Sequence, residues 1–168
     1  MVLHLVLVAV VLGACARGSA APTTPGAATV VRPVDGDTVV VRVSGSEVPV
    51  RLIGIDTPES VARDRPVECF GAEAKDRLAA LLPAGTAVLL ERDVEARDRY
   101  DRLLAYVVRA EDGVVVNEAL VEEGFAESAP FPPNLARQGA LDAAEARARG
   151  AERGLWPACG STDVPIGR

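Results

Sequence analysis

Three closely spaced runs of β-branched residues constrain the fold of this chain more than any other feature of its sequence. The runs at residues 29–34 and 38–43 are joined by Asp35-Gly36-Asp37, and Ser44-Gly45-Ser46 leads into a third run at residues 48–55. An Asp-Gly pair between two such runs is a strong signal for a hairpin or a bulge. The sequence therefore predicts a meander of three strands at the start of the folded domain.

Apolar periodicity predicts the remaining elements. Two further strands are expected at residues 86–91 and 103–109. Helical spacing of apolar residues predicts three helices: one between Pro66 and Pro83, one at residues 116–123 and a last one that starts at Pro132-Pro133. The first would carry Phe70 on its apolar side, and the last would carry Leu135 and Leu141. Five short strands with a helix between the third and the fourth predict an α+β domain with a mainly β core, a five-stranded OB-fold barrel with about three helices.

Charge and composition narrow the possible functions. The 168 residues suit one domain, and 24 acidic residues outnumber 18 basic ones, so that the formal net charge is −6. Proteins that hold nucleic acid in a broad basic groove are normally basic, so any contact with a polyanion is expected to be local and metal-assisted. Aromatic residues make up only 4% of the chain, which argues against an aromatic-lined ligand cage.

The third β-branched run stops at a corner that carries two carboxylates. Arg51 lies within the run, and Asp56-Thr57-Pro58-Glu59 ends it, because Pro58 has no N–H with which to extend a strand ladder. Asp56 and Glu59 are thereby fixed near a cation. Hydrolysis of a phosphodiester requires such a set: a ligand for a hard metal ion, a base for water and a clamp for the phosphoryl oxygens. The alternative for this stretch alone is a turn whose acidic residues are merely solvated.

The N-terminus is typical of an exported protein. Residues 2–12 form an apolar run that is too short to span a bilayer, and Gly13-Ala14-Cys15 follows it. We therefore predict a lipoprotein-type signal peptide over residues 1–15, with Cys15 as the lipidated residue that anchors the protein to the membrane. Plain secretion is the alternative, since no Lys or Arg precedes the apolar run. Either way the folded domain is expected outside the cytoplasm.

Small residues interspersed with proline and glycine predict a flexible linker at residues 16–28, followed by the folded domain at residues 29–160 and a tail at residues 161–168. The two other cysteines, Cys69 and Cys159, flank most of that domain. An even pair of cysteines in an exported protein predicts a disulfide bond.

Four segments together resemble the thermonuclease, or staphylococcal nuclease-like, family. They are Asp35-Gly36-Asp37-Thr38, Arg51 with Ile55-Asp56-Thr57-Pro58-Glu59, Asp98-Arg99-Tyr100-Asp101-Arg102-Leu103-Leu104-Ala105-Tyr106, and Val116-Asn117-Glu118-Ala119-Leu120-Val121. Each motif alone is weakly specific, but all of them occur in the order and spacing of the family. The resemblance covers essentially the whole predicted domain.

The resemblance implies a Ca²⁺-dependent endonuclease that acts on DNA and RNA by in-line attack of water and leaves 3′-phosphate ends. Single-stranded nucleic acid is the expected form of the substrate, and the protein is expected to be a monomer. The metal ligands would be the carboxylates of Asp37 and Asp56 and the backbone carbonyl of Thr57. Ca²⁺ prefers oxygen ligands and tolerates irregular geometry, so this set would suit it.

The same resemblance assigns roles to the other site residues. Glu59 would orient or deprotonate the attacking water. Arg51 and Arg102 would grip the phosphate, with Arg102 nearer to the leaving oxygen. Tyr100 would touch the nucleotide. Phe131 lies where a well-known family member has tyrosines, and it would stack on a base without donating a hydroxyl hydrogen bond.

Purely structural roles remain as alternatives for several of these residues. Asp37 could belong only to its turn, and Tyr100 could be ordinary packing at the barrel edge. Arg102 could simply pair with Asp98 or Asp101. For the whole chain, the alternative function is a non-catalytic nucleic-acid-binding OB-fold module, and the joint presence of the acidic and arginine residues argues against it. The acidic net charge predicts weak, salt-dependent binding to long nucleic acids.

Overall fold

The computed structural model describes residues 26–60 and 67–166. The predicted signal peptide with Cys15, and most of the predicted linker, lie outside the described residues. Within these two ranges, no helix is both long and apolar enough to cross a membrane.

The described residues form seven strands and four helices. The strands are β1 (Gly26–Pro33), β2 (Thr38–Val43), β3 (Ser46–Leu52), β4 (Ile55–Asp56), β5 (Ala87–Glu91), β6 (Leu103–Arg109) and β7 (Glu127–Ser128). The helices are α1 (Gly71–Leu81), α2 (Val116–Glu122), α3 (Gln138–Gly150) and α4 (Leu155–Ala158).

Five of the strands close into a barrel in the order β1-β2-β3-β6-β5. Neighbouring strands are antiparallel, except that β3 and β6 run parallel and pair Val50 with Leu103 and Leu52 with Ala105. Closing the sheet in this way removes exposed strand edges. The predicted α+β class and the five-stranded OB-fold barrel are confirmed.

Aliphatic side chains fill the barrel and attach the helices to it. Leu52 and Leu104 come from the two parallel strands, and each is 1% exposed. Leu78 of α1, Leu120 of α2 and Leu141 of α3 are fully buried. Burying a side chain of this size stabilises a fold by about 1.5–3 kcal/mol, so apolar packing holds the three longer helices in place.

The third predicted strand, at residues 48–55, is wrong in one respect, because the structure interrupts it at Ile53-Gly54. A turn there separates β3 from β4, and β4 pairs with β7 as a small sheet of its own. Gly54 has a φ of 77°, and a Cβ at this position would lie 2.5 Å from Cδ1 of Leu141. Both conditions favour glycine, so this residue ends the barrel strand and redirects the chain toward Asp56.

Other element boundaries also differ from the prediction. α1 begins at Gly71, and Phe70 precedes it with a φ of 72° instead of lying on its apolar side. α3 begins at Gln138, and Leu135 is exposed in the segment before it, where the buried side chain of Asn134 binds a neighbouring loop. β1 begins at Gly26, inside the predicted linker, because its first residues pair with β5.

The predicted C-terminal tail belongs to the folded domain as far as residue 166. Cys69 and Cys159 form a disulfide bond with their Cα atoms 6.0 Å apart. Beyond it, the N–H of Cys69 donates to the carbonyl of Val164 at 2.6 Å, and the N–H of Ile166 donates to the carbonyl of Val67 at 3.0 Å. These contacts fix residues 159–166 beside the segment that precedes α1.

Candidate functional site

A polar cavity of about 220 Å³ gathers most of the predicted site residues. Its lining residues come from the β1–β2 turn, the end of β3, β4 and the corner after it, the segments before α1 and β6, and the C-terminal segment: Asp35, Asp37, Arg51, Asp56, Thr57, Pro58, Glu59, Glu68, Arg102 and Asp163. A neighbouring cleft of about 850 Å³ shares Arg51, Asp56 and Arg102 with it, and is also lined by Tyr100 and Phe131. The structure therefore brings the residues singled out from the sequence to two adjoining depressions.

The β1–β2 turn places Asp37 by packing against the corner after β4. The carboxylate of Asp35 accepts the N–H of Asp37 at 3.1 Å, which stabilises the turn. A Cβ on Gly36 would lie 2.6 Å from Oγ1 of Thr57, so the absence of a side chain lets the two segments touch. The N–H of Leu52 donates to the carbonyl of Asp37 at 2.9 Å and ties the turn to β3.

Arg51 lies between the two carboxylates that were predicted to bind metal. Its Nη1 is 2.8 Å from Oδ2 of Asp37, and its Nη2 is 3.4 Å from Oδ1 of Asp56. Nη1 also donates to the carbonyl of Leu52 at 3.1 Å. These contacts fix the guanidinium plane at the wall of the cavity, where a planar cation matches the oxygens of a phosphate.

Removal from water disfavours the ionised forms of Asp37 and Asp56. Asp37 is 8% exposed, and desolvation raises its pKa to about 7, although Arg51 acts in the opposite direction and Asp35 adds to the rise. Burial also raises the pKa of Asp56, again opposed by Arg51, and the negative charge of Asp163 contributes to the rise. Negative charge is thus concentrated in a poorly solvated place, and a bound cation would relieve it.

Asp98 anchors Arg102 from the outer side. Its carboxylate accepts the Nε of Arg102 at 2.7 Å and the backbone N–H groups of Arg102 and Tyr100 at 3.0 and 2.9 Å. Burial opposes ionisation of Asp98, but these hydrogen bonds outweigh it and the pKa is lowered. The ion pair between Arg102 and Asp98, which was the structural alternative for Arg102, is therefore present. It leaves Nη1 of Arg102 to reach Oγ1 of Thr38 at 3.4 Å, toward the cavity.

The backbone of Glu59 is held by Glu68. Its N–H donates to Oε2 of Glu68 at 2.7 Å, and its carbonyl accepts the N–H of Glu68 at 2.9 Å. Glu59 is half-buried at the cavity, while Glu68 is 9% exposed. A carboxylate carried by a backbone that is fixed in this way, at the edge of a polar cavity, is suited to accept a proton from water.

Tyr100 and Phe131 present exposed rings to the larger cleft. Tyr100 is 65% exposed and Phe131 42% exposed. The guanidinium groups of Arg99 and Arg102 lie 4.7 and 5.5 Å from the centroid of the Tyr100 ring. An exposed ring flanked by cations can stack on a base while the cations contact its phosphate.

The donor chemistry of the cavity fits a hard cation. Asp37, Asp56 and Thr57 line it together, and its polar lining otherwise consists of carboxylates and two arginines, without histidine or cysteine. Among the described residues, no three acidic, histidine or cysteine side chains are grouped closely enough to enclose a metal by themselves. An ion there would need the Thr57 carbonyl, water and substrate oxygens as well, which Ca²⁺ accepts.

Three residues in or beside the cavity received no role from the sequence. The hydroxyl of Thr38 donates to the carboxylate of Asp37 at 3.0 Å and links it to Arg102. Glu68 and Asp163 line the cavity itself. Both lie close in sequence to the two bonded cysteines, and the predicted pairing was the signal that could have brought them together.

Comparison with known proteins agrees with this arrangement. The family described as Staphylococcal nuclease homologue matches residues 49–158. The Thermonuclease of Staphylococcus hyicus is 37% identical over 127 residues, which cover 76% of this chain and 73% of that protein. The Thermonuclease of Staphylococcus intermedius is 35% identical over 127 residues, covering 76% of this chain and 74% of that protein. Endonuclease YncB of Bacillus subtilis is 34% identical over 133 residues, covering 79% and 62%.

Proposed function

The chain belongs to the family of staphylococcal nuclease homologues, and on that basis we propose that it is an endonuclease that hydrolyses phosphodiester bonds of nucleic acids. One observation carries the proposal beyond family membership. Two arginines and the carboxylates of Asp37, Asp56 and Glu59 line a single cavity of about 220 Å³ beside a cleft with exposed aromatic rings. A non-catalytic binding module would have no reason to gather repelling carboxylates at this place and to bury one of them, Asp37.

We further propose that Ca²⁺ is the cofactor and that Asp37, Asp56 and the carbonyl of Thr57 hold it. The raised pKa values of Asp37 and Asp56 and the oxygen donors of the cavity support this choice. When bound, the ion would supply positive charge beside the phosphate oxygens of the substrate.

The residues of the chain account for the remaining steps. Glu59 accepts a proton from the water that attacks phosphorus. Arg51 and Arg102 donate hydrogen bonds to the oxygens on which negative charge grows, and fixed guanidinium groups stabilise that charge without reorganising. Arg102 lies nearer to the leaving oxygen. The bond from phosphorus to the 5′ oxygen breaks and the phosphate remains on the 3′ oxygen.

The larger cleft would bind the bases of the substrate. Exposed rings at Tyr100 and Phe131 favour single-stranded DNA or RNA, whose bases are free to stack. The net charge of −6 leaves long-range attraction to a polyanion weak, so binding depends on these local contacts.

We also propose that the protein works outside the cytoplasm as a monomer. The Cys69–Cys159 disulfide supports an oxidising compartment. Attachment to the membrane through a lipid on Cys15 stays a prediction from the sequence.

Cleavage of single-stranded DNA tests the proposal directly. We expect the wild-type protein to cut a labelled oligonucleotide with Ca²⁺, to stop when the ion is chelated, and to leave 3′-phosphate ends. Glu59→Ala should lower the rate by about 10²–10⁴-fold, the usual contribution of a general base. Glu111→Ala, at an exposed turn far from the cavity, is the matched control and should cut at the wild-type rate. Folded wild-type protein that binds the oligonucleotide without cutting it would instead support the binding-module interpretation.

A further inference from the structure

A disulfide bond joins the C-terminal segment to the residues that lie beside the candidate active site. We call residues 160–166 the C-terminal strap. It follows Cys159 directly and runs beside residues 67–69, to which it is bonded through the carbonyl of Val164 and the N–H of Ile166. The Cys69–Cys159 bond joins the same two segments covalently, across 90 residues of sequence.

The segment beside the strap carries the residue that fixes Glu59. Glu68 binds both the N–H and the carbonyl of Glu59, at 2.7 and 2.9 Å. Gly71 packs on the same peptide, since a Cβ there would lie 2.5 Å from the carbonyl oxygen of Glu59. The position of Glu59 is therefore set by residues 68–71. One of these residues, Cys69, is bonded to the strap.

The strap also touches the segment that bears the other carboxylates. The N–H of Thr162 donates to Oε1 of Glu127 at 2.8 Å, and Glu127 pairs with Asp56 between β7 and β4. Asp163 lines the cavity itself. One short segment thus connects the Glu59 side of the site with the Asp56 side.

We propose that the Cys69–Cys159 disulfide and Glu68 are positioning elements of the nuclease, a role that rests on the function proposed above. The oxidised bond keeps the strap against residues 67–69, and Glu68 in turn keeps Glu59 in reach of the attacking water. A dithiol transfers two electrons and two protons to the bond, which yields the two cysteine thiols and an oxidised cyclic disulfide. This reduction releases the strap and slows catalysis while the barrel stays folded, because no strap side chain belongs to the apolar core of the described residues.

Steady-state cleavage by the full chain separates this role from a purely structural one. For Glu68→Ala, for Cys69→Ser with Cys159→Ser, and for wild type treated with a dithiol, we expect kcat to fall roughly 10- to 100-fold and KM to change less than about twofold. Glu68→Gln should restore most of the rate, because its amide oxygen still accepts the N–H of Glu59. The double serine variant is the matched control for reduction, and the dithiol should leave its rate unchanged.

Combining the variants tests whether the disulfide and Glu68 both act by positioning the same Glu59 peptide. Glu68→Ala added to the double serine variant should lower kcat little further, since both changes release the same peptide. Fully additive losses would overturn the proposal, and so would a double serine variant that is folded and cleaves within about twofold of the wild-type rate. A Glu68→Gln protein as slow as Glu68→Ala would assign Glu68 to charge or metal binding and overturn its positioning role.

Amide hydrogen exchange provides a readout that is independent of activity. The exchange of the Glu59 amide should accelerate at least about tenfold in Glu68→Ala and in the reduced protein, while amides of β2 keep their protection. If wild type failed to cleave DNA with Ca²⁺, the proposed function would be refuted, and exchange of this amide alone would decide whether the disulfide positions Glu59. An unchanged exchange rate would overturn the proposal whatever the activity.

Discussion

The buried amide of Asn117 holds the barrel to the turn that leads to the active site, and its removal gives a sharp prediction. Its Oδ1 accepts the N–H of Val107 in β6 at 2.9 Å, and its Nδ2 donates to the carbonyl of Ile53 at 2.9 Å. Asn117 has 0% exposure, and Ile53 lies at the break between β3 and β4. Asn117→Ala removes both bonds at a place that is closed to solvent.

The expected loss of stability follows from the two backbone groups left behind. A buried N–H or carbonyl without a partner costs about 1–3 kcal/mol, so the free energy of unfolding should fall by about 4 kcal/mol. The greater helix propensity of alanine returns less than about 0.7 kcal/mol and does not offset this loss. At about 2.1 cal/mol/K per residue, the segment from residue 26 to 166 has an unfolding entropy near 0.3 kcal/mol/K, so Tm should fall by about 13 °C.

Denaturation by urea, followed by the fluorescence of Trp156, measures this difference. Trp156 is the only tryptophan of the chain and lies half-buried under the guanidinium of Arg149, 4.0 Å from the ring. The midpoint should shift without a change of m, because the variant unfolds the same surface.

Asn134→Ala is the matched control, since this residue is equally buried and also binds a backbone N–H and carbonyl. Its partner Glu95 is exposed, so water replaces the lost bonds and the cost should be about 1 kcal/mol. A loss below about 1 kcal/mol for Asn117→Ala, or equal losses for both variants, would refute the reasoning.

Three further predictions concern stability. Cys69→Ser with Cys159→Ser opens a loop of 90 residues. The chain-entropy treatment gives a loss of about 4.6 kcal/mol, hence a Tm about 15 °C lower by calorimetry, and a drop below about 3 °C would contradict it. Gly54→Ala forces a φ of 77° and a contact at 2.5 Å, and should cost about 3 kcal/mol in urea denaturation. Gly45→Ala, with a φ of 85° but open space, should cost about 1 kcal/mol, and equal costs would refute the packing argument. The pKa of Asp98 is lowered from 3.8, so its ionised form stabilises the fold fully above that value and the benefit is lost as pH falls through the lowered pKa. Wild type should therefore lose more stability than Asp98→Asn below pH 3.8, and parallel curves would contradict the assignment.

The parts of the site that depend only on residues adjacent in the chain could be predicted from the sequence. The turn at residues 35–37 and the corner at Asp56 need only their neighbours in the chain, and both line the cavity. The interruption at Gly54 was missed, because the apolar run continues through it and only its contact with α3 reveals the break. Glu68 and Asp163 were missed for a similar reason, since their position depends on pairing between distant segments.

Helix starts illustrate the same limit. Apolar spacing placed Phe70 and Leu135 inside predicted helices, but in the structure each helix begins after that residue. Spacing reports which side chains could share a face, whereas the start of a helix depends on what its first backbone groups meet. At the start of α1, the N–H of Gly71 donates to the carbonyl of Glu68, and Gly71 packs on the Glu59 peptide. At the start of α3, the N–H of Gln138 donates to the carbonyl of Leu135.

The parallel pairing of β3 with β6 has a consequence for the order of folding. Val50 and Leu103 become neighbours only when a long stretch of chain has been enclosed, and such non-local contacts form slowly compared with a helix or a hairpin. Arg51 lies in β3 and Arg102 immediately precedes β6. The two guanidinium groups therefore reach the same cavity only once this pairing has formed. Catalytic competence during refolding should appear with that slow phase and not with the early gain of secondary structure.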